Sequence, residues 1–204
     1  MGHGAGLDRR RIVEAALAVA DIEGIGGVTM RRVSTELGVT PMAIYRHVAS
    51  KEELIDLVVD ELLRAVDPVD IDGDPSVELA SWGSAFHALL VGRPSLAQVM
   101  STRRLQGPVA TRAALAILEL LRRVGVPDAR ADDLLVGMFS YTVGAALYRI
   151  SRTRELSTMG RRVLPDGVPS VSAPGLRDRL AGAELTDRSF TAGLTMIVEG
   201  FLAV

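Results

Sequence analysis

There is no cysteine among these 204 residues, which excludes disulfides and thiolate metal sites. Histidine is nearly as scarce. His3, His47 and His87 lie too far apart to form a local ligand motif, so no metal or other cofactor is expected. No run of about 18 uncharged apolar residues occurs, so no membrane span is expected. Arg9, Arg10 and Arg11 have no apolar stretch behind them, which argues against a secretory signal and makes the cytoplasm the default location. Enzyme signatures are missing too: no GxSxG, HExxH, P-loop or GxGxxG. Asp132 and Asp133 are adjacent, so on a helix they diverge instead of pairing. No β-alternating run and no internal repeat stands out. Lys51 is the single lysine among 23 basic residues, a compositional bias to which no function is assigned.

What is present is apolar and helical. Apolar residues make up 48% of the chain, enough for a real core. Ile12, Ala15, Ala16, Val19 and Ala20 keep helical spacing, and Gly24 stops that helix. Thr29 can cap a second helix carrying Val33 and Leu37, with Gly38 past its end. Thr40 can cap a third over 41–48, with Pro41 at its first position. Ser50-Lys-Glu-Glu53 has the capping-box pattern and opens a fourth helix. After a loop over 67–75, helices are expected over 76–91, 94–101, 108–124 and 128–156. A long loop is expected over 159–174, a short helix near 175–182, and a last helix from 187. The expected class is all-α, with a small head over 1–50 and a larger body over 51–204, the fourth helix connecting them.

The stretch "TPMAIYRHV" from Thr40 decides the functional reading. Two short helices joined by Gly38-Val39-Thr40 have the anatomy of a helix-turn-helix. Ser34 is small where the helices would cross, and Gly38 permits a positive φ. With Val33, Leu37, Val39 and Ile44 turned inward, Met42, Ala43, Arg46 and His47 turn outward. Arg46 can then donate a pair of hydrogen bonds to guanine, and Met42 and Ala43 can meet thymine methyls. Thr40, Tyr45, His47 and Lys51 suit phosphate oxygens. Residues 1–51 hold seven basic and five acidic side chains, so the head is positive although the whole chain carries −2. An ordinary two-helix corner with solvated polar residues is the competing reading of this pattern.

"VTMRRVSTELGVTPMAIYRHVASKEELIDLVVDELL" resembles the N-terminal domain of the TetR family of bacterial transcription regulators. The tyrosine, the aliphatic before it, the "HV" after it and "SKEEL" carry the resemblance, over roughly residues 10–55. It implies phosphate contacts from Tyr45, His47 and Lys51, and base reading from Met42, Ala43 and Arg46. Arg31 falls near another family contact, and Thr29 beside it joins the candidate set. Histidine at position 47, where the family often has phenylalanine, resembles the tetracycline-repressor branch.

The remainder resembles that branch more weakly, in "WGSAFHALLVGRPSLAQVM", "ALAILELLRRVG", "GMFSYTVGAAL" and "FTAGLTMIVEGF". The resemblance implies a four-helix bundle between two copies. Independently, Gly137 and Gly144 are seven apart on one helix, and Gly193 and Gly200 on another. Each costs roughly 1 kcal/mol in a helix interior, which suggests close packing by a neighbour. Phe190, Leu194, Ile197 and Phe201 add an apolar stripe. Packing within one subunit would explain the same pattern. The resemblance also implies a small-molecule effector. Candidate lining residues are Trp82, Phe86, His87, Met100, Leu105, Met138, Phe139, Tyr141 and Thr142, each of which also reads as core. The family's metal-binding histidine falls on Met100, and a thioether does not bind magnesium. An apolar or aromatic effector without a metal is therefore expected. The expected function is a ligand-responsive repressor that binds duplex DNA as a homodimer. A helical enzyme, or an interaction module without DNA binding, is the alternative.

Overall fold

Helix α1 (Arg9–Glu23) begins where Asp8 accepts a hydrogen bond from the Arg11 amide at 2.8 Å. In the computed structural model, which describes residues 7–103, 107–159 and 185–203, it is the first of nine α-helices among the described residues, with no strand. Ile12, Ala15, Ala16, Val19 and Ala20 are the residues it buries, the stripe that the spacing predicts. Gly24, at φ 74°, ends it, and a 3-10 turn (Ile25–Gly27) leads to α2 (Met30–Leu37). Short α3 (Pro41–Tyr45) and then α4 (Lys51–Leu63) follow. The Ser50 hydroxyl accepts from the Glu53 amide at 3.1 Å, while Glu53 takes the Ala49 amide at 2.6 Å. That is the expected reciprocal cap displaced by one residue, and such a cap is worth about 1 kcal/mol.

The body contains α5 (Pro75–Gly92), α6 (Pro94–Thr102), α7 (Pro108–Arg123), α8 (Asp128–Met159) and α9 (Asp187–Leu202). Prolines at the first turn of α5, α6 and α7 set three of these starts, because the missing N–H would be unpaired there anyway. Over Asp128–Thr153, α8 is long and apolar enough to cross a bilayer, a stretch that the sequence reading passed over. It packs instead against α5, α6, α7 and α9, as the central helix of the body. Expectations for 160–174, for the helix near 175–182 and for Leu105 fall outside the described residues.

Two apolar clusters hold the fold. One runs from Ile12 through Val33, Ile44, Leu54 and Val58 to Phe86, Leu96, Met100 and Val143. It is continuous across residue 50, so the core does not break where the head was expected to end. The other joins Leu79, Ile117, Leu134, Met138, Phe190 and Leu194. Head and body thus share packing through α4.

Candidate DNA-binding surface and effector region

The turn between α2 and α3 is built by the backbone. Gly38 sits at φ 65°, ψ 31°, a left-handed conformation that costs glycine little. The Val39 amide then reaches the Ser34 carbonyl at 3.0 Å, and the Gly38 amide the Thr35 carbonyl at 3.2 Å, closing α2. The Thr40 hydroxyl accepts from the Ala43 amide at 3.3 Å to open α3. Ser34 is buried at the crossing, and its hydroxyl donates to the Arg31 carbonyl. Regular α-helix ends at Tyr45 rather than at Val48. The His47 and Val48 amides share the Ile44 carbonyl, which tightens the last turn.

This anchoring decides which side chains face outward. Ile44 and Val48 are fully buried. Met42 and Arg46, four apart, lie on the opposite face of α3, and both are exposed. Tyr45 and His47 are exposed, as are Thr40 and Arg31, while Ala43 and Lys51 are half-buried. Thr29 is half-buried and spends its oxygen on the Arg32 amide at 3.1 Å.

The head's cations divide into two sets. Arg32 pairs with Glu23 at 2.6 Å and Glu36 at 2.9 Å, which raises its pKa through those hydrogen bonds. Arg9 pairs with Glu53 and Arg10 with Glu14. Among the described residues, Arg31 and Arg46 have no side-chain hydrogen bond or ion pair. Sequence reasoning assigned Arg32 no role, and the structure makes it a strut between α1 and α2. The two unpaired arginines are the ones chosen for DNA.

The expected effector residues form two aromatic groups. Trp82 meets Phe86 at a centroid distance of 5.2 Å, and Phe86 meets Phe139 at 6.1 Å. Met100 belongs to the same cluster. On another side, His87 stacks on Phe190 at 3.9 Å and Tyr141 stacks on it at 5.3 Å. Thr142 is buried and donates to the Met138 carbonyl at 2.7 Å. Phe86, His87, Met100, Met138 and Thr142 are all enclosed in the protein core, and Trp82, Phe139 and Tyr141 are half-buried. A cleft of about 500 Å³ lies elsewhere, between the end of α1 and the junction of α5 and α6. Gly24, Ile25, Leu62, Leu89, Arg93 and Ser95 line it, with none of the expected effector residues. No periodicity signals it, because it forms where α1, the 3-10 turn, α4, α5 and α6 meet.

His87 combines burial with an Nε2 that has no hydrogen-bond partner among the described residues. Burial pushes its pKa below the ordinary 6.5, the positive charge of Arg149 adds to this, and Asp187 opposes it. An imidazolium is therefore disfavoured in the fold. Above pH 6.5 the residue is neutral whether folded or unfolded, and its contribution to stability is complete. Below 6.5 the unfolded chain takes the proton first, so stability falls as pH falls. The melting temperature should drop on acidification from neutrality, and His87→Phe should remove that component while keeping the stack on Phe190. An identical acid dependence in His87→Phe would assign it to other groups.

Two of the six expected dimer residues turn inward. Phe190 is buried in its own subunit. A Cβ on Gly193 would collide with the Tyr141 hydroxyl, so that glycine serves the packing of α8 on α9. Among the described residues nothing lies within 4 Å of a Cβ on Gly137, Gly144 or Gly200, and Val136, Tyr148 and Met196 are exposed on the same two helices. Ile197 is half-buried against the second cluster.

The profile of bacterial regulatory proteins of the tetR family matches residues 12–58. That of the tetracyclin repressor-like C-terminal domain matches residues 67–204. The chain belongs to the TetR family. The HTH-type transcriptional repressor DrrR1 of Streptomyces coeruleorubidus is 38% identical over 138 residues, covering 67% of this chain and 51% of that protein. The chain thus spans about half the length of that curated relative. Class C tetracycline repressor from Escherichia coli is 28% identical over 95% of this chain and 90% of its own length. Among solved structures, Streptomyces coelicolor ActR in complex with actinorhodin is 25% identical, with a TM-score of 0.80 over 98% of this chain and 97% of its own. BioQ bound to its double-stranded DNA operator is 26% identical, with a TM-score of 0.68 over 97% of this chain and 99% of its own. The helix-turn-helix anticipated from Met30 to Val48 lies within the matched family profile and is therefore a family feature.

Proposed function

We propose that this TetR-family member is a cytoplasmic repressor that grips operator DNA as a homodimer and releases it when a small aromatic molecule enters the helical body. The observation that carries the DNA reading is the sorting of charge in the head. Three of its arginines are held by carboxylates, whereas Arg31 and Arg46 stand exposed and unpaired beside Met42 on a capped helix-turn-helix. Arg46 reads a guanine, and Met42 and Ala43 meet thymine methyls. Arg31, Thr29, Thr40, Tyr45, His47 and Lys51 hold phosphates. Selection of duplexes from a random pool by the intact protein, followed by titration across salt concentrations, tests this. A shared half-site repeated about one helical turn apart is the expected product. Recovery of no preferred sequence would refute it.

For the effector, the aromatic wall of Trp82, Phe86 and Phe139 supports a flat apolar ligand, and Met100 offers no magnesium ligand. The ActR complex with actinorhodin supports a bound small molecule in a protein of this fold. Trp82 is the single tryptophan and half-buried, so its emission should change as an effector enters. That change, and the loss of DNA binding with it, should survive chelator. A response that requires magnesium would return the protein to a tetracycline-like mechanism.

A further inference from the structure

Neither DNA binding nor the aromatic effector region makes use of the cleft between head and body. It encloses about 500 Å³, within the range of small-molecule sites, and Trp82, Phe86 and Phe139 are not among its lining residues. Its floor is aliphatic. Ala20 from α1, Ile25 from the 3-10 turn and Leu62 from α4 are buried there, and Leu89 from α5 is half-buried. No aromatic side chain lines it, so a flat ring has nothing to stack on, whereas a flexible aliphatic chain meets methyl groups.

The rim is polar, and its hydrogen-bonding capacity is one-sided. Arg93, between α5 and α6, spends its Nη1 on Oδ1 of Asp21 in α1. Its Nε and Nη2 have no partner among the described residues. The Ser95 hydroxyl accepts from the Ile25 amide at 3.0 Å, and its own proton goes to no acceptor among the described residues. Unspent donors thus outnumber the single unspent carboxylate oxygen of Asp21. The Arg93 and Asp21 side chains are 39% and 55% exposed, so water screens their pairing and it contributes little to stability. A ligand carboxylate can therefore take or share this guanidinium at small cost, through two parallel N–H···O bonds.

We propose that this cleft is a second small-molecule site, separate from the aromatic effector region, that takes an aliphatic monocarboxylate. The chain lies on Ala20, Ile25, Leu62 and Leu89, and the carboxylate accepts from Arg93 and the Ser95 hydroxyl. Such an occupant touches α1 and the 3-10 turn on one side and α5 and α6 on the other. It binds the arrangement of head and body in which those walls stand together, and so raises the population of that arrangement. The site stands on the cleft and its rim and does not depend on the repressor function.

Octanoate, kept below the concentration at which it forms micelles, is the probe. It is titrated into the intact isotope-labelled chain while backbone amide signals are followed by NMR, with octanol and octylammonium as comparisons. Octanoate should shift the amides of Gly24, Ile25, Gly92 and Ser95 saturably and leave those of Trp82 and Phe139 in place. Octanol should bind about tenfold more weakly, and octylammonium more weakly still. Arg93→Met keeps the stem and loses the charge. It should weaken octanoate about tenfold or more and leave octanol within about threefold. Asp21→Asn removes the competing charge and should tighten octanoate. Gly92 lines the cleft, its φ is not positive, and a Cβ on it meets nothing within 4 Å among the described residues. Gly92→Leu can therefore fill the cleft and should abolish binding of both octanoate and octanol. If Gly92→Leu does not fold, Arg93→Met and Asp21→Asn decide. Shifts confined to Trp82 and Phe139 would put octanoate in the aromatic region and overturn a second site. Shifts that never saturate and centre on exposed Ile22 and Leu115 would be detergent-like adsorption and overturn it equally. Equal affinity for octanoate and octanol, or an Arg93→Met variant that binds octanoate unchanged, overturns the carboxylate assignment. Absence of any shift overturns the site.

Discussion

Arg46→Ala is expected to weaken binding to the selected duplex by about 1–3 kcal/mol and to relax preference at one base pair, because a paired hydrogen bond to guanine is lost. The side chain stands exposed at the C-terminal cap of α3, away from buried Ile44, so the substitution leaves no hole in the core. Lys51→Ala should behave differently. Loss of one phosphate contact weakens all sequences alike and flattens the salt slope by about one. Arg32→Ala, on neighbouring α2, is the control within the same head. It removes the ties to Glu23 and Glu36, so it should lower stability modestly without changing which base is preferred. Equal losses on cognate and random duplexes from Arg46→Ala would end its base-reading role.

Leucine at both Gly137 and Gly144 should yield folded monomers. Among the described residues, neither glycine has a neighbour within its own subunit that a Cβ would meet, so the described packing can accept the change. A second copy packed on that face could not. Exposed Val136, Tyr148 and Met196 supply the apolar area that such a copy would cover. Monomers lose the second half-site, which should reduce operator affinity by roughly 10²- to 10⁴-fold. Gly193→Leu should fail in another way. It strikes the Tyr141 hydroxyl, which itself donates to the Phe190 carbonyl at 3.3 Å, and so disturbs the subunit before any dimer forms. Light scattering with circular dichroism separates the two results. A double variant that scatters like the unaltered dimer would place the interface elsewhere.

Much of this was legible along the chain because the signals are local. Apolar spacing in α1, the caps at Thr29, Thr40 and Ser50, the positive φ of Gly38 and the prolines opening α6 and α7 each depend on residues a few positions apart, whereas Pro75, expected in the loop, opens α5. The outward face of α3 follows from the same periodicity once Ile44 is turned inward. What sequence reading could not supply depends on side chains brought together from distant segments. Glycines seven apart announce a close neighbour but not whose it is. Only the packing shows that Gly193 meets Tyr141 of its own chain while Gly144 meets no described residue. Large residues at 82, 86, 87 and 139 announce an aromatic cluster, yet the division into two stacks is set by how α5, α8 and α9 cross. Asp60 is the clearest case. Along the chain it is one of five acids in α4, with no hint of a partner. Its meaning lies in two amides nearly fifty residues away, which fall within hydrogen-bond reach because the tertiary fold lays the start of α7 against α4.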